Sequence, residues 1–272
     1  MRGGKKFSKI LISSDFDSTF FENGYIPERN ISATKYFMEN GGAFTINTAR
    51  PVNSLGSFMH LFTINAPASL SNGGVIYDYQ KQQVLFVSYL PLLALTVAKE
   101  VYEKFDTVRI ELFTLMNVGI ARDLPILDEQ IQNSRPQGEI VDIYSFDEPI
   151  TRIVYLAEKE TITQIADYVM KRSGGEYDEI RFNNNFYNVM PKGITKGGAL
   201  IRIAGILDIP IENTYCIGDS YNDIGMMKAA GTSVCPQNAE QDLKNLSDIV
   251  VCDMMDGAVA DLIEYIDRRT GG

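Results

Sequence analysis

Hydrophobic positions along the chain fall into short blocks of two kinds. Continuous apolar runs bounded by turn residues read as buried strands, and apolar positions spaced three and four apart read as helices. Near the start, "ILISS" predicts a strand and "PERNISATKYFMENGG" a helix, with Pro27 near its start and Gly41 past its end. "AFTINT" predicts a second strand, "VNSLGSFMHLF" a helix, and "ASLSNGG" a third strand ending in a turn. The end of the chain repeats the alternation. "KGGALIRIAGIL" reads as a helix, "TYCIG" as a strand, "NDIGMMKAAG" as a helix, "TSVC" and "DIVV" as strands, and "AVADLIEYIDRR" as a closing helix. Such alternation predicts an α/β fold built on a mostly parallel, doubly wound, Rossmann-like sheet.

The middle has a different rhythm. Between residues 82 and 188 strands cluster, as "VLFVSYL", "TVRIELF", "NVGIA", "RIVYLA", "EIRFN" and "FYNVM". Two helices interleave, "PLLALTVAKEVYEKF" and "TITQIADYVMKR". The pattern predicts an inserted α+β module at 82–188 within a discontinuous core of 1–81 and 189–272. Candidate hinges lie near "YDYQKQQ" and "VMPKGI". Internal repeats, low-complexity tracts and flexible linkers are absent from the sequence.

Composition narrows the function classes. The chain has 272 residues, 45% hydrophobic and 22% charged, an ordinary globular balance for one large domain or two small ones. Twenty-five basic against 35 acidic residues give a net charge of −10, which argues against non-specific binding to nucleic acid or an anionic membrane. Cys216, Cys235 and Cys252 form no C-x-x-C pair, so neither a disulfide framework nor a zinc site is expected, and a cytoplasmic location is favoured. The apolar run after "MRGGKKFSK" is too short for a signal peptide, and no stretch approaches transmembrane length. The single histidine, His60, reads as structural or surface, and leaves neither a Ser-His-Asp hydrolase nor a multi-histidine metal site easy to build. The sequence carries no G-x-x-x-x-G-K-[ST], G-x-G-x-x-G or G-x-S-x-G pattern. It leaves the oligomeric state open.

Candidate chemistry lies where the predicted strands end, since ligands of open α/β sheets bind at the carboxyl edge. "SSDFDSTF" places Asp15 and Asp17 just after the first strand, and Thr48 follows the second. Asp219 follows "TYCIG", Asp223 lies one turn further on, and Lys196 opens a helix, where N–H groups favour anions. Several carboxylates in one place call for a cation, and oxygen-only ligands point to magnesium. A lysine beside them suits a second anion, so the set describes phosphoryl transfer. One aspartate of the D-x-D pair can attack phosphorus, and the other can protonate the leaving oxygen and then activate water. Thr48 and backbone N–H groups suit the phosphoryl oxygens.

The constellation resembles the haloacid dehalogenase superfamily, and within it the Cof-type phosphatases that carry an α/β cap. "DFDST" resembles the family's D-x-D-G-T motif, "INTAR" its second motif with Thr48 at the hydroxyl position, Lys196 its third and "GDSYND" its fourth; "SNGG" and "CPQNA" sit at similar turns. The resemblance covers about residues 1–80 and 190–272, and the cap matches only in size and rough pattern. A lone D-x-D is a weak signal; four motifs in order are a strong one. The resemblance implies Asp15 as nucleophile and Asp17 as acid/base. It implies magnesium held by Asp15, the Asp17 carbonyl and Asp219 with Asp223 in support, and phosphate bound by Thr48, Lys196 and Asn222. Ser18 and Ala49 depart from the family, which has glycine at both positions, a matter for activity if either needs φ > 0.

Three functional readings follow: a magnesium-dependent phosphatase acting on a small phosphorylated metabolite such as a sugar phosphate or cofactor-like phosphate, a sugar phosphomutase, and a catalytically quiet binding or regulatory homologue. Dehalogenation is disfavoured because Asp17, needed for an oxygen leaving group, is present. The substrate is not named by the sequence. The polar segment "RFNNNFYN" (181–188), with Asn183 to Asn185, reads either as a substrate-facing stretch or as a plain hairpin turn. Arg50 reads either as facing substrate or as pairing with a carboxylate.

Overall fold

The computed structural model describes residues 5–124, 138–183 and 185–270. The chain forms two compact units, one of residues 1–49, 58–85 and 195–272, the other of residues 50–57 and 86–194.

The first unit is built on a five-stranded parallel sheet. Its strands are β1 (Leu11–Ser14), β2 (Ala43–Ile46), β12 (Thr214–Ile217), β13 (Thr232–Cys235) and β14 (Ile249–Val250), in the order β14-β13-β12-β1-β2. These are the predicted "ILISS", "AFTINT", "TYCIG", "TSVC" and "DIVV". The central strand β1 is buried along its whole length, as a strand covered by helices on both faces must be. The helices Glu28–Glu39, Lys196–Ile206, Ile224–Ala229, Gln241–Leu246 and Ala258–Thr270 complete the alternation.

Two local expectations change. "ASLSNGG" supplies β3 (Ala68–Leu70), which lies beside β2 and is bridged at Ser69 to Asn47, just past the end of β2. Its main partners are β4 (Val75–Asp78) and then β5 (Gln83–Val87), in a separate three-stranded sheet. "YDYQKQQ" is the turn that links β4 to β5, held by Asp78 Oδ1 accepting from the N–H groups of Gln80 and Lys81 at 3.0 and 3.1 Å. "VLFVSYL" therefore begins as the last strand of that sheet and not as the first of the inserted one. The predicted helix "VNSLGSFMHLF" is helical only over Val52–Gly56; the chain then turns, leaving His60 exposed.

The second unit is an α+β sandwich. A six-stranded sheet of β6 (Arg109–Phe113), β7 (Val118–Ile120), β8 (Glu139–Ile140), β9 (Arg152–Leu156), β10 (Tyr177–Asn183) and β11 (Phe186–Pro191) runs in the order β10-β11-β9-β6-β7-β8. Two helices, Leu92–Lys104 and Lys159–Ser173, cover one face through Val97, Val101, Ile165 and Val169, which pack on Ile110, Ile153, Tyr155 and Val189. The "RFNNNFYN" segment turns between β10 and β11, with Asn183 opposite Phe186; Asn184 lies outside the described residues. Helix Val52–Gly56 joins this unit by backbone bonds from Val52 to Leu115 and from Asn53 to Met116.

The three cysteines are free thiols, Cys216 and Cys235 buried and Cys252 half-buried. Among the described residues no helix is long and apolar enough to cross a membrane.

Candidate active site

The site forms where β1, β2 and β12 end together. Parallel register places Ser14 beside both Ile46 and Ile217, so the residues that follow each strand emerge at one edge. Asp15 leaves β1 with its N–H on the Ile217 carbonyl at 2.8 Å, which extends the ladder one residue into the site. Phe16 turns the other way and is fully buried, stacked on Phe21 at 4.8 Å between ring centres. The alternation carries the chain through the D-x-D pair: acid, core, acid.

Beyond Asp17 the chain folds back on itself. The Ser18 N–H bonds to the Phe21 carbonyl, and Asp17 bridges Phe21. Asn238, in "CPQNA", donates to the Ser18 carbonyl at 2.8 Å and accepts from the Met254 N–H. Ser18 adopts φ 57°, so the glycine of the family motif answers a real backbone demand, while Ala49 has no such φ. A left-handed non-glycine costs about 1–2 kcal/mol, partly offset by about 0.4–1 kcal/mol from a stiffer unfolded chain. Ser18→Gly is expected to raise stability by up to about 1 kcal/mol, read as a higher melting temperature; a lower one would show that the serine side chain contributes more than the strain removes.

The carboxylates converge around one lysine. Lys196, the first residue of its helix and only 1% exposed, places Nζ 2.7 Å from Asp15 Oδ1 and 2.7 Å from Asp223 Oδ1. Thr195 caps that helix, its hydroxyl accepting from Gly198 N–H at 3.0 Å. Asn47, just after β2, donates to the Lys196 carbonyl at 2.9 Å. Asp223 is fully buried and uses both oxygens, Oδ1 on Lys196 and Oδ2 on the N–H groups of Asp219 and Ser220 at 3.1 and 3.2 Å. Gly218 is what lets Asp223 in, since a Cβ there would lie 2.4 Å from its carboxyl carbon. Asp219 accepts from Thr19 Oγ1 at 2.9 Å. Carboxylate oxygens of Asp15, Asp219 and Asp223 lie within 4.8 Å of one another.

Three carboxylates against one ammonium leave a surplus of negative charge. Burial and then the Asp223 charge push the Asp15 carboxyl well above its usual range, with Lys196 opposing. Burial and Asp223 likewise push Asp219 up to about 7. Lys196 is held protonated because Asp15 and Asp223 together outweigh its desolvation.

The remaining candidates lie around this cluster. Asp17 is half-buried and outside the three-carboxylate group, although its charge acts on Asp219. Thr48 is buried and fixed through its backbone, its N–H on Ser69 and its carbonyl accepting from Asn72 N–H. Asn222 donates to Asn72 Oδ1 at 3.1 Å and accepts from Ser220 Oγ, which ties "GDSYND" to the "SNGG" turn. In that turn Ser71, Asn72 and Gly73 are all left-handed, and a Cβ on Gly73 would lie 2.3 Å from the Thr195 carbonyl. Arg50, in the second unit, donates to Ser54 Oγ at 3.2 Å. Sequence reasoning missed Thr19, Asn47, Asn72 and Asn238. Each lies inside a motif that the resemblance singled out, "DFDST", "INTAR", "SNGG" and "CPQNA", and that membership was the signal available.

Comparison with known proteins gives the family and the fold. A family model described as haloacid dehalogenase-like hydrolase matches residues 12–263. Phosphatase YwpJ of Bacillus subtilis (strain 168) is 24% identical over 284 residues, covering 94% of this chain and 99% of that protein. Pyridoxal phosphate phosphatase YbhA of Escherichia coli (strain K12) is 22% identical, covering 93% and 97%. The solved structure of a subclass IIB sugar phosphatase of the same superfamily superposes with a TM-score of 0.78 at 20% identity, covering 94% of this chain and 98% of that one. With a parallel α/β core, an inserted α+β unit and a match running almost from end to end, the chain belongs to the haloacid dehalogenase-like hydrolase family, in its Cof-type phosphatase branch.

Proposed function

We propose that this enzyme is a magnesium-dependent phosphatase that hydrolyses a small phosphorylated metabolite, a sugar phosphate or cofactor-like phosphate, through an aspartyl-phosphate on Asp15. The observation that carries the reading is Lys196, buried and bridging Asp15 and Asp223 with Asp219 close by. A buried lysine fixes the attacking carboxylate and offers positive charge to an incoming phosphoryl group.

The donor set fits a hard divalent cation. It is all oxygen, and the surplus of negative charge that raises Asp15 and Asp219 is what a cation would relieve. Asp15, the Asp17 carbonyl and Asp219 would hold magnesium, with Asp223 orienting Lys196 and the Asp219 backbone. Bound there, magnesium neutralises charge gathered between the carboxylates and the phosphoryl oxygens.

The chain's own residues supply the rest. Asp15 attacks phosphorus, and Asp17, on its own turn outside the crowded cluster, gives a proton to the leaving oxygen and later takes one from the water that cleaves the aspartyl-phosphate. Thr48, Lys196 and Asn222 hold phosphoryl oxygens. The inserted α+β unit acts as the cap that reads the substrate, while the unit built on the parallel sheet forms the catalytic core. The test is phosphate release across a panel of phosphometabolites, with magnesium and with chelator. Release that is lost on chelation and restored by magnesium supports the reading; transfer between substrate positions without release would favour a phosphomutase.

Asp17→Asn separates the acid from the nucleophile. The loss should be largest for alkyl phosphates, at about 10²–10⁴-fold, and smaller for nitrophenyl phosphate, whose leaving group needs little help from a proton. Equal losses for both esters would remove Asp17 from the general-acid role.

A further inference from the structure

The second unit's sheet has one face under its helices, and the register assigns the other. Residues opposed across antiparallel strands share a face. Phe113 is opposite Arg152, Glu111 opposite Val154, and Arg109 opposite Leu156. Asn188 is opposite Val154 in turn. Ile110, Leu112, Ile153 and Tyr155 alternate with these and belong to the core beneath the helices. The face away from the helices thus carries Arg109, Glu111 and Arg152, which are only 8%, 3% and 6% exposed.

Arg152 stands apart among these three charges. Arg109 Nε donates to Glu111 Oε1 at 3.1 Å, and its Nη1 pairs with Asp123. Arg152 has its guanidinium carbon 3.7 Å from the centre of the Phe113 ring, and its Nε is buried without a hydrogen-bond partner. Among the described residues no carboxylate forms an ion pair with it.

A buried guanidinium with unanswered donors is unfavourable, and a cation–π contact recovers only part of the loss. Burial brings Arg152 down to about 10, with Glu111 the one opposing charge, so it remains a cation at neutral pH. Packing alone would be served as well by an apolar side chain of similar length. A planar fork held against an aromatic ring, beside Val154 and with donors open, suits a bidentate oxyanion.

We propose that Arg152 is an anion-recognition residue of the second unit and that it takes a carboxylate or phosphate group.

The test reads anion binding by thermal melts of the magnesium-free protein, with sulfate as the phosphate-like probe and succinate as the carboxylate. At least one of the two should raise the melting temperature of the unmodified protein more than that of Arg152→Met, and which one responds tells phosphate from carboxylate. Arg152→Lys should keep part of the difference. Without ligand, Arg152→Met should melt no lower than the unmodified protein, because it removes an unpaired buried charge. Shifts with both anions that are equal in the unmodified protein and Arg152→Met, or a marked fall in the variant's melting temperature without ligand, would overturn the proposal.

Discussion

Asp15→Asn is expected to lower turnover by about 10⁴-fold or more while leaving the fold intact. The amide cannot attack phosphorus, and it removes one charge from the set that would hold magnesium. The local structure keeps its supports. The Asp15 N–H bond to Ile217 is backbone, and the Phe16 N–H, now on Asp15 Oδ1 at 2.7 Å, finds the same acceptor in an amide oxygen. Lys196 retains Asp223. Burial and the Asp223 charge already push Asp15 toward its neutral form, so a neutral side chain there removes repulsion. Without magnesium the variant should therefore melt at the same temperature as the unmodified protein or higher. Phosphate release and thermal melts measured together decide it: a folded variant with near-normal release would end the nucleophile assignment.

How much of this was legible in the sequence depends on distance along the chain. "ILISS" and "TYCIG" read correctly because central strands of a parallel sheet are buried on both faces and leave unbroken apolar runs. Asp15, Lys196, Asp219 and Asp223 were legible as a convergent group because each sits at a strand end or helix start that the alternation had located. The hairpin sheet of β3, β4 and β5 was not, because three-to-five-residue strands carry too few positions to show which sheet they join. The early end of the helix at Gly56 was hidden for a similar reason, since "SFMHLF" keeps a helical spacing while its phenylalanines pack from a turn, Phe58 at 5.6 Å and Phe62 at 5.6 Å from Phe16. The site's polar bracing was out of reach altogether. Thr19–Asp219, Asn47–Lys196, Asn72–Asn222 and Asn238–Ser18 join residues 149 to 220 positions apart, and no local pattern encodes such pairs. Arg152 was equally hidden: "RIVYLA" reads as an apolar strand, and only the register shows what its first residue faces.

Lys196→Met should have the largest effect on stability, and that effect should depend on pH. Among the described residues Lys196 is the one cation bonded to the cluster, at 2.7 Å from each of two buried carboxylates. Removing one partner from a buried ionic cluster costs about 3–5 kcal/mol because the others remain uncompensated, and for a chain of this size that is on the order of 10 °C in melting temperature. The pH dependence follows from the direction of each shift. The lysine's own proton affinity is raised above 10.5, so its contribution is fully present below that pH and steady between pH 5 and 9. The dependence in the variant therefore belongs to the carboxylates. Asp15 and Asp219 are raised above 3.8, Asp219 to about 7 even with the lysine in place, and losing the lysine raises both further. A carboxyl with a raised folded value weakens the fold most above that value, and the weakness fades as pH falls toward its unfolded value. The gap between Lys196→Met and the unmodified protein should accordingly be widest at pH 8 and narrow steadily toward pH 5. Magnesium should raise the variant's melting temperature more than that of the unmodified protein, since it supplies the missing positive charge. Activity should fall by about 10³-fold or more even where magnesium restores the fold, because both the phosphate contact and the support of Asp15 are gone. Melting curves across that pH range, with and without magnesium, read all of this at once; a gap that stays constant with pH would mean that Lys196 stabilises the fold by packing and not by compensating the three carboxylates.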